Sequence, residues 1–366
     1  MRVLIAPQEF RGSLSADEAA AAIKAGIRAA QPAWQLDVLP LSDGGPGFID
    51  ALRRAVTADT SAEVVQDALG RKVLGRFAVV RADRTAVVEA AQANGLYHLS
   101  PGELDPLRAD SFGVGQLIMA AVATAPSRLV VGLGGSATTD GGAGMARALG
   151  ARFLDDAGRP LAPGGAALAG LARIDWQRPA ALEGLEVIVA NDVTNPLLGP
   201  DGCAAIYGPQ KGASPGQVEV LEGALVRYAA VVKRSLGVDV ATIPGGGAAG
   251  GLGAGLVAFL GARVESGFTI VAEATNLRAR LAQADVVVTG EGSFDAQSSR
   301  GKTTGRIRDL AREAGTPVVV FCGRSDVAGS GVFALTSLEP DHDVSMRNAA
   351  ELLEALAARW AADQPA

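Results

Sequence analysis

The sequence predicts an α/β protein with two α/β domains, and three observations predict it. Short apolar runs of strand type alternate with amphipathic helical segments, most densely at the two ends of the chain. Five of those runs lead into loops that set a polar or charged residue beside glycine or proline. At 366 residues the chain also exceeds what one hydrophobic core usually organises. The N- and C-terminal segments are therefore expected to form one Rossmann- or flavodoxin-like parallel sheet, with the other domain inserted. The expected boundaries are residues 1–75 with 285–366 for the discontinuous domain and 76–284 for the inserted one.

Val3 to Ala6 is an apolar run of buried-strand type. Ser15-Ala16-Asp17-Glu18 is a capping box that starts a helix, with Ala19, Ala22, Ile23, Ile27 and Ala30 on one face. Leu36 to Leu39 reads as a second strand and leads into Ser42-Asp43-Gly44-Gly45-Pro46-Gly47. From Ala62 to Ala91 short strand-like runs flank a Gly70-Arg71-Lys72 turn, which predicts an antiparallel section. Behind Ser111 as a cap, Val114, Leu117, Ile118, Ala121 and Val122 share a helical face. Leu129 to Leu133 and Leu185 to Ala190 are further strands, and Ser214-Pro215 opens a long helix with proline at its first position. Asp285 to Thr289, Val318 to Phe321 and Val332 to Leu335 are the late strands, and the last helix buries Leu352, Leu353, Leu356 and Trp360.

Composition removes several classes of function. The net charge is −6, with no Lys/Arg run interleaved with aromatics, so nucleic acid is not an expected partner. Two histidines and two distant cysteines, Cys203 and Cys322, argue against histidine chemistry and a thiolate metal site, and free thiols suit a cytoplasmic protein. The opening MRVLIAPQEF reads as a strand, not a signal peptide, and no apolar segment is long enough to span a membrane.

The stretch LVVGLGGSATTDGGAGMARAL, residues 129–149, joins a strand to a helix through Gly134-Gly135-Ser136-Ala137-Thr138-Thr139-Asp140-Gly141-Gly142. Such a turn lets backbone N–H groups approach a ligand, and the helix start adds partial positive charge, so an anion, often a phosphate, is the expected guest. In open α/β sheets ligands bind beyond the carboxyl ends of the strands. If the five loops Pro7–Gly12, Ser42–Gly47, Gly134–Gly142, Asn191–Pro196 and Gly290–Lys302 converge, they gather Asp43, Asp192, Glu291 and Asp295 with Arg11, Lys302 and Lys211. Carboxylates beside cations and glycine-rich turns are how proteins handle Mg²⁺ and phosphates together. An Asp taken alone reads better as a turn or helix cap, whereas the set together reads as a functional site. Residues 296–303 fit a loose P-loop pattern, but residues 290–295 separate it from its strand, so a P-loop NTPase is not expected. A dehydrogenase on a similar scaffold is the weakest reading, since the first loop has one glycine, Gly12.

These loops make the chain resemble the type I bacterial glycerate kinase family over nearly its whole length. The most specific parts are GLGGSATTDGGAGM (132–145), NDVTNPLLGP (191–200), YGPQKGAS (207–214), PGGGAAGGLGAGL (244–256) and VVTGEGSFDAQSSRGK (287–302). The resemblance implies two α/β domains with a cleft between them. It also implies phosphorylation of D-glycerate by ATP and Mg²⁺, generally to 2-phosphoglycerate. In that reading Gly134, Gly135, Ser136, Thr138, Gly246, Gly253 and Lys211 bind nucleotide, while Asp43, Gly44, Gly45, Glu291 and Gln297 bind substrate. Asp192 or Asp295 orients or deprotonates the attacking hydroxyl and holds Mg²⁺, the choice of base staying open. Arg11 and Lys302 counter the substrate carboxylate and the transferring phosphoryl group. The implied partner is a small hydroxy acid, with a homo-oligomer left open.

The departures sit in the first two loops. Where the family typically reads Ala-Pro-Asp-Ser-Phe-Lys-Gly, this chain has Ala6-Pro7-Gln8-Glu9-Phe10-Arg11-Gly12. Where it reads Ala-Asp-Gly-Gly-Glu-Gly-Thr, this chain has Ser42-Asp43-Gly44-Gly45-Pro46-Gly47-Phe48. Gln8 cannot act as a base, and Arg11 differs from lysine in geometry. The alternative is therefore a substrate-shifted or non-catalytic relative that binds nucleotide or another hydroxy acid.

Overall fold

A computed structural model of the protein describes residues 1–294, 303–327 and 331–365. Its strands, in chain order, are β1 (Arg2–Pro7), β2 (Gln35–Val38), β3 (Ala58–Gln66), β4 (Lys72–Val80), β5 (Thr85–Glu89), β6 (Arg128–Gly132), β7 (Arg152–Leu154), β8 (Arg173–Asp175), β9 (Glu186–Ala190), β10 (Arg263–Glu265), β11 (Val286–Phe294), β12 (Val318–Ser325) and β13 (Val332–Ala334). The chain forms two compact units, one of residues 1–42, 50–55 and 268–366 and the other of residues 43–49 and 56–267.

The first unit holds a five-stranded parallel sheet in the order β13-β12-β11-β1-β2. The two ends of the chain thus share one sheet, as the alternation of strands and helices predicts. Ser15 caps the helix Ala16–Ala30 with the expected reciprocal bonds, its backbone N–H donating to Glu18 at 2.8 Å. That helix and Ala349–Ala362 cover the sheet, burying Ile23, Ile27, Leu353 and Trp360 against Val3, Ile5 and Phe321. Trp360 lies edge-on to both Trp34 and Phe321, with centroids 6.0 and 6.1 Å away, a geometry that favours aromatic pairs.

The second unit is built on a six-stranded sheet, β10-β9-β6-β5-β4-β3. β10, β9, β6 and β5 run parallel, while β4 and β3 are antiparallel, as the Ala62 to Ala91 pattern predicts. The strands β7 and β8 form a separate two-stranded antiparallel sheet. The helix Pro215–Leu236 packs Leu221, Leu225 and Tyr228 into the core shared with Val131, Val189 and Phe259. Ser214 and Gln217 cap it reciprocally.

The units divide at residues 42–56 and 267/268, earlier than the boundaries 75 and 285 expected above. β3 pairs with β4 along all nine residues, which ties Ala58–Gln66 to the second sheet. At the other end, Arg280 pairs with Asp37 at 2.6 Å and Thr316 donates to the Leu281 carbonyl at 2.8 Å, which ties the helix Leu277–Gln283 to the first. Among the described residues no helix is long and apolar enough to cross a membrane.

Gly26 marks where the two covering helices touch, since a methyl there would overlap the Glu354 carbonyl oxygen and lie 2.9 Å from the Ala358 nitrogen. In an isolated helix Gly→Ala gains about 1 kcal/mol. Here overpacking outweighs propensity, so Gly26→Ala is expected to lose about 1–3 kcal/mol in thermal or denaturant unfolding.

Candidate functional site

The parallel strands of the second unit end side by side at Glu89, Gly132, Ala190 and Glu265. Beyond β6 the chain makes the glycine-rich turn that the sequence singles out. The segment Asp43–Gly47, part of the same unit, lies directly on these strand ends. The Gly134 N–H donates to the Gly44 carbonyl at 3.0 Å. A methyl group on Gly44 would overlap the Ala190 carbonyl, and one on Gly134 would overlap Gly45. A Cβ on Gly132 would sit 2.6 Å from the Gly44 oxygen. Glycine is required on both sides of this junction by contact alone. It brings the predicted residues Asp43, Gly44 and Gly45 together with Gly134 and Gly135.

Two of the departures from the family pattern fall here. Pro46 lies against Gly135, where a Cβ would come within 2.9 Å of its ring. Phe48 is fully buried, its ring beside Gly132. Glu89, which sequence reasoning missed, supports the same segment: its buried carboxylate accepts from the N–H groups of Gly47 at 3.3 Å and Ile49 at 3.4 Å.

Under the turn lies a buried polar network. Asn94 Nδ2 donates to Ser136 Oγ at 3.2 Å and to Thr138 Oγ1 at 3.0 Å, and its backbone carbonyl accepts from Ala137 N–H at 2.8 Å. Asn94 was also missed, because nothing local in the sequence ties it to residues some forty positions away. Asp140 accepts from Ser111 Oγ at 2.7 Å, Ser111 N–H at 2.9 Å, Gly144 N–H at 3.0 Å and Gly142 N–H at 3.1 Å. It anchors the turn and the first turn of the helix Ala143–Ala148, whose N-cap is Gly142. Burial, with the nearby Asp110 charge, pushes its carboxyl up from the usual range, and the Ser111 and Gly144 donors oppose that shift.

Lys211, expected to meet a nucleotide, is buried within the fold. Its side chain is enclosed, the residue being 2% exposed, and its ammonium donates to the Thr138 carbonyl at 2.5 Å. It reaches the turn from below. Burial pushes its pKa down to about 8, partly offset by Cys203 and Asp140.

Gly246 and Gly253 belong to a segment packed by glycine on glycine. Gly247 N–H donates to Asn195 O at 3.0 Å and Gly141 N–H to Gly250 O at 3.0 Å. A Cβ on Gly253 would lie 2.7 Å from the Gly245 oxygen, and one on Gly246 3.0 Å from the Ile243 oxygen. Their missing side chains are explained by this packing. Asp192 follows β9, half-buried, in a turn that Asn191 closes by accepting from Val193 N–H at 3.1 Å.

The remaining candidates stand in the first unit. Gln8, almost buried, follows β1 and its N–H donates to the Gly290 carbonyl at 2.8 Å. Arg11 points to solvent, its side chain 79% exposed and 4.0 Å from Glu9. Glu291 is buried in β11 opposite Cys322 of β12, and its charge adds to the burial that pushes that thiol up to about 12. Asp295, Gln297 and Lys302 lie outside the described residues.

The described residues contain no group of three or more His, Cys, Asp or Glu able to enclose a metal ion.

Residues 3–363 match the model of the glycerate kinase family. The chain belongs to this family. It is 38% identical over 361 residues to a glycerate kinase of Halalkalibacterium halodurans, covering 96% of this chain and 95% of that one. It is 41% identical over 324 residues to a glycerate 2-kinase of Escherichia coli, covering 88% of this chain and 85% of that one. The crystal structure of a chain assigned as glycerate kinase 2 from Salmonella typhimurium LT2 superposes with a TM-score of 0.78 at 41% identity, covering 99% and 97% of the two chains.

For this member of the glycerate kinase family, the glycine junction makes a sharp prediction. Gly134→Ala should push the Asp43–Gly47 segment off the turn, costing about 1–3 kcal/mol of stability by overpacking. Gly184→Ala is the control, since a Cβ there meets nothing within 4 Å and only its positive φ of 71° is strained. Unfolding curves of both variants check this, with the control expected to lose about 1 kcal/mol.

Proposed function

We propose that this chain transfers the γ-phosphoryl group of ATP to a hydroxyl of D-glycerate, giving 2-phosphoglycerate, with Mg²⁺. The observation that carries this reading is the glycine junction, where Gly134 and Gly135 meet Gly44 and Gly45 at the carboxyl ends of parallel strands. Backbone can approach a phosphate there without side chains intervening. Family membership supports the substrate, and the Escherichia coli relative supports the position of transfer.

In this reading the turn Gly134–Thr139 cradles phosphate oxygens, with Ser136 and Thr138 held in place by Asn94. Asp43 lies at the glycine junction to meet substrate. Asp192 orients the attacking hydroxyl and would be one ligand of Mg²⁺; Asp295 is the other candidate for both roles. When bound, the ion would neutralise charge on the transferring phosphoryl group. Glu291, Gln297, Arg11 and Lys302 are assigned to substrate and phosphoryl contacts. Catalysis is then mostly positioning and charge stabilisation.

A second reading keeps nucleotide binding but changes the acceptor. It is favoured by Gln8, a nearly buried amide at the end of β1, where the resemblance expects a carboxylate. One experiment separates the two: ADP release from ATP and Mg²⁺ with D-glycerate and a panel of small hydroxy acids, the product position read by ³¹P and ¹³C NMR. Release with D-glycerate and a 2-phosphorylated product is expected. Release only with another acid establishes the second reading, and none with any acid refutes phosphotransfer. Asp192→Asn should lower kcat by about 10²-fold or more while leaving the unfolding transition in place.

A further inference from the structure

A buried ammonium needs a reason, because enclosing a lysine charge is costly unless it is paired. Lys211 has no carboxylate bonded to it among the described residues. Its one hydrogen-bond partner there is the Thr138 carbonyl, at 2.5 Å. Asp140 and Cys203 face it at longer range, and the Cys203 thiol is itself pushed up to about 12 by burial, which keeps it neutral. Tyr228 donates to the Gly141 carbonyl at 2.8 Å, and burial raises its phenol as well. Of the groups facing Lys211 among the described residues, only the Asp140 carboxyl can therefore carry a negative charge. That charge is spread over bonds to Ser111, Gly142 and Gly144.

The single bond has a directional consequence. No peptide of the described chain is cis. Across a trans peptide the carbonyl and the following N–H point opposite ways. With the Thr138 oxygen drawn to Lys211, the Thr139 N–H is turned away from it. Thr139 Oγ1 and Asn94 Oδ1 in the same network are buried without a partner among the described residues. Buried polar atoms in native proteins are nearly always satisfied, so the network is incomplete as it stands. The Thr139 hydroxyl can donate to an anion on the turn, whereas Asn94 Oδ1, an acceptor, calls for a water as donor.

We propose that Lys211 is a positioning residue for the nucleotide phosphates. It fixes the Thr138–Thr139 amide and places one positive charge beneath the turn, without touching the phosphates itself. This rests on the kinase reading for the identity of the anion, but not for the role of the charge.

The role implies opposed pH dependences. Burial holds the Lys211 pKa at about 8, below its ordinary 10.5. Between those values the unfolded chain binds more protons than the folded one, so Lys211 makes stability rise with pH. Over the same range the charge under the turn disappears, so nucleotide affinity falls. A merely structural lysine would not oppose the two.

The test measures ATP·Mg²⁺ dissociation constants by calorimetry from pH 7 to 9.5, for the unmutated chain and Lys211→Met, beside steady-state kinetics. The unmutated chain should lose affinity at least tenfold above pH 8. Lys211→Met should bind at least tenfold more weakly at pH 7, raise KM for ATP with KM for D-glycerate nearly unchanged, and show no basic limb. Wild-type ATP affinity in Lys211→Met, or a flat profile in the unmutated chain, overturns the inference and leaves the kinase reading standing. If Lys211→Met does not fold, the profile of the unmutated chain decides alone. ATP binding with this profile but no phosphorylation of D-glycerate refutes the kinase reading and supports the inference. No ATP binding by the unmutated chain overturns both.

Discussion

The second unit depends on one contact: Gly44 and Gly45 seated on Gly132 and Gly134 where β6 ends. No side chain takes part in it. The backbones meet closely enough for the Gly134 N–H to bond the Gly44 carbonyl at 3.0 Å, and a single methyl on either side would separate them. Conformational entropy opposes so many glycines, since each loses more freedom on folding than any other residue. The gain is a backbone surface at the ends of parallel strands that is free of large side chains, with Gly44 and Gly45 buried and Gly134 and Gly135 half-buried.

What holds that surface rigid lies behind it. Glu89, Asn94, Asp140 and Lys211 are all buried, and each bonds backbone or hydroxyl groups of the segments that form the junction or the turn. Buried polar groups of this kind are a poor way to gain stability. They do fix one geometry, because any alternative leaves donors or acceptors unpaired. Asp140 and Lys211 illustrate two solutions. The carboxylate is satisfied four times over, whereas the ammonium has a single carbonyl, so the lysine is where stability is given up for positive charge.

Much of this was legible in the sequence. Alternating apolar runs marked the parallel strands, because a buried parallel strand has to be apolar on both faces. Glycine clusters marked the turns, and their contact shows why no other residue serves. Three things were not legible. β3 pairs with β4 over its full length, and strand pairing is set by long-range register, so the early boundary between the units had no local signal. Glu89 and Asn94 read as ordinary polar residues, because their partners are some forty positions away. Lys211 was picked out as a nucleotide contact, but the bond it makes within the fold was not foreseen. A lysine in a glycine-rich context suggests a phosphate contact, and only the fold shows that its ammonium bonds the Thr138 carbonyl. Asp140 was open between ligand and cap from its sequence, and in the fold its carboxylate accepts four bonds from Ser111, Gly142 and Gly144.

The central claim is that the residues 43–47 and 134–142 jointly receive the nucleotide's phosphates. Hydrogen–deuterium exchange with saturating ATP·Mg²⁺ tests it most directly, because backbone amides are the proposed ligands. Peptides covering both segments should exchange more slowly with nucleotide bound, while those of the helix Pro215–Leu236 stay unchanged. Unaltered exchange in both segments under saturating nucleotide, with protection appearing elsewhere, would contradict the account.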